Sequence, residues 1–313
     1  MTESSSESKQ IEAFRSFKLV RLLNEDTGTK FMSLLGKIGS QDAIIVAEKT
    51  AFNTSPEILA KFQEPSNLSA LTMLGQNDIY HWFLASHSEP DNEKRPEIKF
   101  TFIYPATETH IKKYSRQSLR MVTETPQLYR ELVKPYMEST RVGGRLNWVY
   151  NILAHQSEAE KIVFEDTDEH EGFILLPDLK WDRKTLTSLY MMALVHRKDI
   201  MSLRDLTKKD VPWLRRVGHK IASAVCEAYP EFESNQIKLY VHYQPSYYHF
   251  HIHAVAISHD GGLGQTAGKA FLLGNVISQL ESMPNEESSF ADIELTYVLG
   301  EDSELWQTVF KNL

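Results

Sequence analysis

Three histidines, each separated from the next by one apolar residue, give the strongest chemical signal in the sequence. His249, His251 and His253 stand two positions apart, with Phe250 and Ile252 between them. Side chains alternate between the two faces of a strand, so the imidazoles would line one face about 6.5–7 Å apart while the apolar residues pack behind them. The chain has only 12 histidines among 313 residues, so chance alone is a poor explanation for this pattern.

Three interpretations of these histidines compete. Imidazoles two positions apart on a strand can bind zinc, and His242 could supply a further ligand. Alternatively, one imidazole attacks phosphorus to form a phosphohistidine while its neighbours donate protons, a role that suits a side chain titrating near pH ~6.5. A surface strand with incidental histidines is the third, and the apolar flanks argue against it. No carboxylate or cysteine stands at a convincing spacing nearby, which favours phosphorus chemistry over zinc.

Composition along the chain predicts a tail, two domains and a connector, in the α+β class. Residues 1–13 are rich in Ser and Glu and predict a disordered tail. Residues 14–117 contain short β-branched and aromatic runs and predict a smaller β-rich domain. Helical spacing interrupted at Pro126 and Pro135 predicts a helical hinge or connector over 118–147. Residues 148–313 are then the catalytic domain, with an antiparallel sheet and helices.

The elements of this catalytic domain can be assigned from periodicity and capping signals. Thr207 and Asp210 resemble a capping box before a helix that would stop at Pro230. Strands are predicted at 148–153, 161–166, 172–179, 237–244, 247–257 and 293–298. Further helices are predicted at 183–196, at 267–280 and after a cap at Ser303.

Charge and composition restrict the class of partner. The net charge is -8, whereas proteins that grip long nucleic acid usually present a basic surface. No apolar run approaches the ~18–20 residues that a membrane-spanning helix needs. A single cysteine, Cys226, excludes an intrachain disulfide framework. We therefore expect no membrane and no long nucleic acid as partners, and a protein of the cytoplasm or nucleus.

The alternation of histidine with apolar residues resembles the signature of the histidine-triad superfamily of nucleotide hydrolases and transferases. The segment HYQPSYYHFHIH, from His242 to His253, resembles its scavenger mRNA-decapping branch. Further stretches that resemble this family in the same order are 77–80, 104–108, 148–153, 173–181 and 202–207. The resemblance implies cleavage of the triphosphate bridge of short 7-methylguanosine-capped RNA fragments or cap dinucleotides after 3′-to-5′ mRNA decay. It implies release of 7-methyl-GMP, with no metal or other cofactor.

The same resemblance assigns catalytic roles. His251 corresponds to the nucleophile, and His249 and His253 would hold the phosphates and orient the ring. His242 matches a histidine near the scissile phosphate, and Ser246 would contact a phosphate oxygen. These roles are carried over from the family and do not follow from spacing alone.

A positively charged 7-methylguanine calls for an aromatic face and a carboxylate, and stacking on tryptophan contributes about 0.5–2 kcal/mol. The resemblance places Trp148 on one face of the base, Leu179 on the other and Glu158 at its Watson–Crick edge. Asp178 and Lys180 would contact the ribose and phosphates. By residue type alone, Trp148 could equally be a core residue and Glu158 a solvated turn residue.

In the first domain, Asn77, Tyr80 and Lys113 match family positions that close over the substrate, although Lys113 alone would be assigned to a solvated helix face. The family is a homodimer with exchanged N-terminal segments, and its first domain acts as a lid. Lys269 stands where the family has an arginine, so its role is left open. Two other functions also stay open: a histidine-triad hydrolase of dinucleoside polyphosphates or nucleoside phosphoramidates, and a cap-binding regulator without turnover.

Overall fold

A computed structural model of the chain describes residues 3–50, 52–64, 68–87, 96–142, 144–179 and 181–313. The chain folds as two compact units, Met1–Arg116 and Gln117–Leu313. Their boundary adjoins the one that composition predicts after residue 117. Within the described ranges, no helix combines the length and the apolar character that crossing a lipid bilayer requires.

The first unit is dominated by antiparallel strands. Its elements are α1 (Glu3–Arg15), β1 (Lys18–Asp26), β2 (Phe31–Ile38), β3 (Gln41–Lys49), α2 (Pro56–Lys61), β4 (Leu68–Asn77), β5 (Tyr80–His87), β6 (Ile98–Ile103) and α3 (Glu108–Tyr114). Four strands form a sheet in the order β1-β2-β3-β6, and β4 pairs with β5. A small core of Leu23, Leu35, Ile44 and Val46 packs in this unit.

The N-terminal segment is helical, so the prediction of a disordered tail over 1–13 is wrong for residues 3–13. Residues 1 and 2 lie outside the described ranges. Phe14, near the end of α1, packs edge-on against Phe100 and Phe102 of β6, with ring centroids 5.2 and 5.5 Å apart. Such aromatic contacts stabilise beyond their buried area, and local composition could not reveal them because the partners are distant in sequence.

The second unit combines a six-stranded sheet with helices. Its elements are β7 (Leu119–Glu124), α4 (Pro126–Leu128), a π-helical turn (Tyr129–Val133), α5 (Lys134–Arg141), α6 (Asn147–Leu153), β8 (Phe164–Asp166), β9 (Phe173–Pro177), β10 (Tyr190–Val195), α7 (Val211–Ala228), β11 (Ile237–His242), β12 (His251–Ala256), β13 (Ala270–Leu272), α8 (Leu273–Glu281), β14 (Leu295–Gly300) and α9 (Glu304–Thr308). The strand order is β13-β11-β12-β10-β9-β8, and β7 pairs separately with β14. Strand β12 is therefore central.

The two faces of this sheet have different roles. Directly opposed residues on antiparallel strands share a face. Ile252 lies opposite Ala193, and both belong to the large core that α7 and α8 cover. His251 lies opposite Leu194, which packs in a separate cluster with Val149 of α6. The histidine strand thus has an apolar back, as its alternation predicts, and its front faces the side of α6.

The predicted connector over 118–147 is part of the second unit, because β7 pairs along its whole length with β14. The helix that follows begins at Pro126, capped by Thr125, whose hydroxyl accepts from the amide of Leu128. Pro135 does not break it. The π turn ends at Val133 and Pro135 occupies the first turn of α5, where a missing amide hydrogen costs little.

Two element types in this unit differ from prediction. Residues 148–153 form helix α6 instead of a strand, and 183–196 contain strand β10 instead of a helix. Strand β10 is buried on both faces, so its continuous apolar run carries no periodicity that separates strand from helix. The helix predicted at 267–280 starts only at Leu273, after β13. The capping box of Thr207 and Asp210 is present before α7.

Candidate active site

Three imidazoles meet on the front of the sheet. His242 ends β11, while His251 and His253 lie on the neighbouring strand β12. The ring centroids of His242 and His253 are 4.3 Å apart, and those of His251 and His253 are 5.0 Å apart. Potential ligand nitrogens of all three lie within 4.8 Å of one another. The group therefore contains two members of the alternating triad and one residue from the adjacent strand.

His249 has a different position from the one that alternation predicts. It precedes β12 in a bend and is fully buried, and its Nε2 lies 2.8 Å from the carbonyl oxygen of Val195. Its own carbonyl oxygen accepts from Nδ1 of His251 at 2.8 Å. His249 thus orients the His251 ring through its backbone.

That hydrogen bond fixes the protonation pattern of His251. A carbonyl can only accept, so Nδ1 carries the proton and Nε2 keeps its lone pair. No other hydrogen bond to His251 is found in the described part of the chain. Burial lowers the pKa of His251 to about 3, against the opposing effect of the His249 carbonyl. The imidazole is therefore neutral at neutral pH, as a nucleophile must be.

Tyr247 links His251 to Trp148. Its ring stacks on His251 with centroids 4.3 Å apart and planes 16° apart. The Trp148 ring meets it edge-on at 4.8 Å. Sequence reasoning did not select Tyr247, yet it extends the alternation of His249, His251 and His253 by one step. That extension was the available signal.

The predicted cap-binding side chains belong to the second unit and differ in exposure and in partners. Trp148 on α6 is 42% exposed and Leu179, after β9, is 82% exposed. Glu158 has a left-handed backbone (φ 55°) and forms an ion pair with Lys161 at 3.2 Å. Exposed apolar side chains of this size are available to a ligand.

Asp178 acts electrostatically on Tyr247, the residue that stacks on His251. Burial first, and the Asp178 carboxylate second, raise the pKa of Tyr247. Ser246 is exposed on the loop between β11 and β12. Lys269 donates from Nζ to the backbone carbonyl of Gln244 in the same loop. Lys180 lies outside the described residues, so its predicted contact stays a prediction.

The residues predicted to close over the substrate belong to the first unit. Asn77 ends β4 and pairs with Tyr80 at the start of β5, where Tyr80 is exposed. Lys113 lies in α3, with its Nζ 5.5 Å from the centroid of the Tyr114 ring. Their role in closure stays a prediction.

The zinc interpretation retains a geometric basis, because His242, His251 and His253 are close enough to approach one ion. Within the described residues, no carboxylate or thiol joins this group. The donor set is thus imidazole only. Such a set suits both three-ligand zinc and proton or phosphoryl transfer.

A second polar cluster escaped sequence reasoning entirely. Glu124 of β7 and Arg204 form an ion pair of 2.6 Å with both side chains fully buried. Tyr243 and Tyr297 each donate a hydroxyl hydrogen to the Glu124 carboxylate, at 2.7 and 2.5 Å. The partners are far apart in sequence, so no local pattern marks them.

Comparison with known proteins gives the same family for both units of the chain. One family model, described as "Scavenger mRNA decapping enzyme (DcpS) N-terminal", matches residues 12–117. A second, "Scavenger mRNA decapping enzyme C-term binding", matches residues 147–268 and so includes all four histidines.

Relatives named m7GpppX diphosphatase match over most of their length. The one from Schizosaccharomyces pombe is 41% identical over 310 residues, 98% of this chain and 98% of that protein. The human one is 36% identical over 299 residues, covering 93% of this chain and 84% of the relative. The one from Ascaris suum is 38% identical over 272 residues, 87% of each chain.

Proposed function

The chain belongs to the scavenger mRNA-decapping enzyme family, and from that premise we propose that it hydrolyses the triphosphate bridge of 7-methylguanosine caps on short RNA fragments and cap dinucleotides. The observation that carries the proposal is the state of His251. Its imidazole is neutral, its Nδ1 is tied to the His249 carbonyl, and its ring stacks on Tyr247. This leaves Nε2 to attack phosphorus.

In the proposed mechanism, Nε2 of His251 attacks the phosphorus next to 7-methylguanosine. The bond from that phosphorus to the bridging oxygen breaks, and a nucleoside diphosphate or short RNA diphosphate leaves. The His249 carbonyl stabilises the Nδ1 proton as positive charge develops on the ring. Water then hydrolyses the 7-methylguanylyl-histidine and releases 7-methyl-GMP. His242 and His253, beside the nucleophile, are the proposed donors to the phosphate oxygens and leaving group.

Recognition of the cap would rest mainly on exposed side chains of the second unit. Trp148 and Leu179 would hold the two faces of the methylated base. Glu158 would accept hydrogen bonds from the guanine edge, and its pairing with Lys161 is no obstacle because partly exposed ion pairs contribute only about 0–1 kcal/mol. Asp178, Lys180 and Ser246 complete the proposed contacts to ribose and phosphates.

The finer parts of the proposal come from the family. They comprise a histidine-triad domain as the second unit, a homodimer with exchanged N-terminal segments, and closure by the first unit through Asn77, Tyr80 and Lys113. They also include action in the cytoplasm and nucleus, and no cofactor. Closure would favour short RNA, so equally fast turnover of a long capped transcript would contradict it.

The test is incubation with a 7-methylguanosine-capped dinucleotide in EDTA, comparing the wild type with His251→Asn. His219→Asn is the matched control, because His219 is exposed on α7. We expect 7-methyl-GMP from the wild type and the control but not from His251→Asn. Activity that EDTA abolishes would instead support the metal site.

Two outcomes would favour the alternatives. If the dinucleotide binds without product from any variant, the protein is a cap-binding regulator. The protein is a general dinucleoside polyphosphate hydrolase if two results hold together. Diadenosine triphosphate is cleaved as fast as the capped dinucleotide, and Trp148→Ala leaves binding of the capped dinucleotide unchanged.

A further inference from the structure

The loop between β11 and β12, residues 243–250, connects the predicted phosphate contact to the nucleophile. Ser246 is exposed on it, and Tyr247 stacks on His251. The position of this loop therefore decides where a phosphate oxygen would lie relative to Nε2 of His251. What holds the loop in place is thus a question about the reaction as well as about the fold.

Gln244 is hydrogen-bonded to one residue within this loop and to two residues outside it. Its side-chain oxygen accepts from the hydroxyl of Tyr248 at 3.0 Å, which joins the start of the loop to its far side. Its Nε2 lies 3.4 Å from the hydroxyl oxygen of Tyr297 on β14. Its backbone oxygen accepts from Nζ of Lys269. Gln244 is only 4% exposed, so water competes little for these bonds.

The chain of hydrogen bonds continues to a buried ion pair. Tyr297 donates its hydroxyl hydrogen to Glu124, so its oxygen is left to accept from Gln244. Burial raises the pKa of Tyr297 and of Tyr243, which keeps both hydroxyls protonated as donors. The direction of donation, from Gln244 to Tyr297 to Glu124, is therefore fixed.

Arg204 holds Glu124, the last acceptor in this series of hydrogen bonds. Its guanidinium contacts Glu124 at 2.6 Å and also donates to the carbonyl oxygens of Phe290 and Ile293. A buried ion pair often adds little net stability, because desolvation offsets the attraction. The pair contributes rigidity instead, because a buried network with every donor and acceptor matched allows a single geometry.

We propose that Glu124, Tyr297 and Gln244 form a clamp that sets the 243–250 loop relative to His251, which makes Tyr297 a positioning residue for the reaction. This inference rests on the proposed function for its catalytic meaning. Tyr297 is itself fully buried, so we expect it to make no contact with the substrate. It acts through Gln244 on the residues that do.

The decisive variant is Tyr297→Phe, which keeps the ring that packs edge-on against Tyr243 at 4.8 Å and removes only the hydroxyl. Small misplacements at a reacting centre cost up to about 100-fold in rate. We expect kcat on the capped dinucleotide to fall about 10-fold while KM changes less than about twofold, since the base-binding side chains are untouched. Amide hydrogen exchange in the 243–250 loop should rise with no change in α7.

Val225→Ala is the matched control for stability. Val225 is fully buried in α7, in the large core that also contains Tyr297, but its side chain makes no hydrogen bond. It should lower the Tm at least as much as Tyr297→Phe, yet leave kcat and loop exchange near the wild-type values. If both variants lose kcat in proportion to Tm, Tyr297 is structural and the proposal is wrong.

Gln244→Met and the double variant test whether the two residues act as one unit. We expect the double variant to lose no more kcat than the worse single variant, because either change opens the same clamp. Additive losses would overturn the clamp. If the wild type makes no 7-methyl-GMP, the proposed function fails, and loop exchange alone then decides the clamp: unchanged exchange in Tyr297→Phe would reject it.

Discussion

Two groups of polar side chains are buried in the second unit, and they are built in opposite ways. Around Glu124, both carboxylate oxygens accept hydrogen bonds from Arg204, Tyr243 and Tyr297. Around His251, one ring nitrogen is held by a backbone carbonyl, and no described residue donates to the other. The Glu124 cluster is saturated, because both carboxylate oxygens are hydrogen-bonded. The His251 cluster is unsaturated, because Nε2 of His251 keeps its lone pair.

The difference shows how burial can serve structure or reactivity. A buried charge is tolerated only when it is paired and fully hydrogen-bonded. The Glu124–Arg204 pair meets that condition and fixes the strands and the loop around it. A buried imidazole avoids the cost of a buried charge by staying neutral, because desolvation disfavours the protonated form. The neutral ring is the nucleophilic form.

The largest expected effect is on the rate at the unsaturated cluster. His251→Asn should lower the rate of 7-methyl-GMP release by at least about 10,000-fold, since loss of a nucleophile typically costs about that much or more. Thermal unfolding should change little, because no partner of the ring is left with an unpaired charge. Single-turnover product release and calorimetry measure the two. A variant that retained a tenth of the wild-type rate would place the nucleophile elsewhere.

The next largest effect is on stability at the saturated cluster. Arg204→Met leaves Glu124 buried without its cation and should lower the free energy of unfolding by about 3–5 kcal/mol. The double variant Arg204→Met with Glu124→Met should recover part of that loss, because no lone charge is then buried. Urea denaturation measures both. A double variant less stable than the single one would contradict the idea that the lone buried charge of Glu124 causes the loss.

Acid should destabilise the protein through His251 and His249. Burial lowers the pKa of His251 to about 3 and of His249 to about 4, from an ordinary 6.5. Below that ordinary value the unfolded chain binds protons that the folded chain does not, so stability falls as pH falls from 6.5 towards 4. The slope for each histidine reaches about 1.4 kcal/mol per pH unit.

Denaturation at several pH values tests this. The two histidines together should cost about 3 kcal/mol between pH 6.5 and about pH 5. His251→Asn should remove roughly half of that dependence, since one of the two groups is then absent. An unchanged slope in this variant would show that His251 titrates normally.

The smallest effect is expected at an exposed ion pair, which serves as the reference for the buried one. Arg215 and Glu281 join α7 to α8 at 2.6 Å, with 58% and 43% of their side chains exposed. Arg215→Met should lower the free energy of unfolding by less than about 1 kcal/mol. A loss as large as that of Arg204→Met would mean that burial is not what separates the two pairs.

Much of the site was predictable because its signals are local. The alternation at His249, His251 and His253 marks the segment of the proposed nucleophile within five consecutive residues. The capping box of Thr207 and Asp210 is present as predicted, although it caps the short 3-10 turn that leads into α7. Strand β10 was predicted as a helix, because a fully buried run has no polar face to mark its period. The N-terminal helix was missed because its aromatic partners lie in β6.

The sequence by itself was sufficient to predict the family of the chain and the apolar back of the histidine strand, since side-chain alternation is a property of the extended backbone. Only the tertiary structure decided that His242 meets His253, that Tyr247 lies between Trp148 and His251, and that His249 acts through its carbonyl. Glu124 and Arg204 are 80 positions apart, and their pairing depends on how β7, β14 and the central sheet pack. Strand pairing and burial between distant segments depend on the whole chain, so no local pattern encodes them.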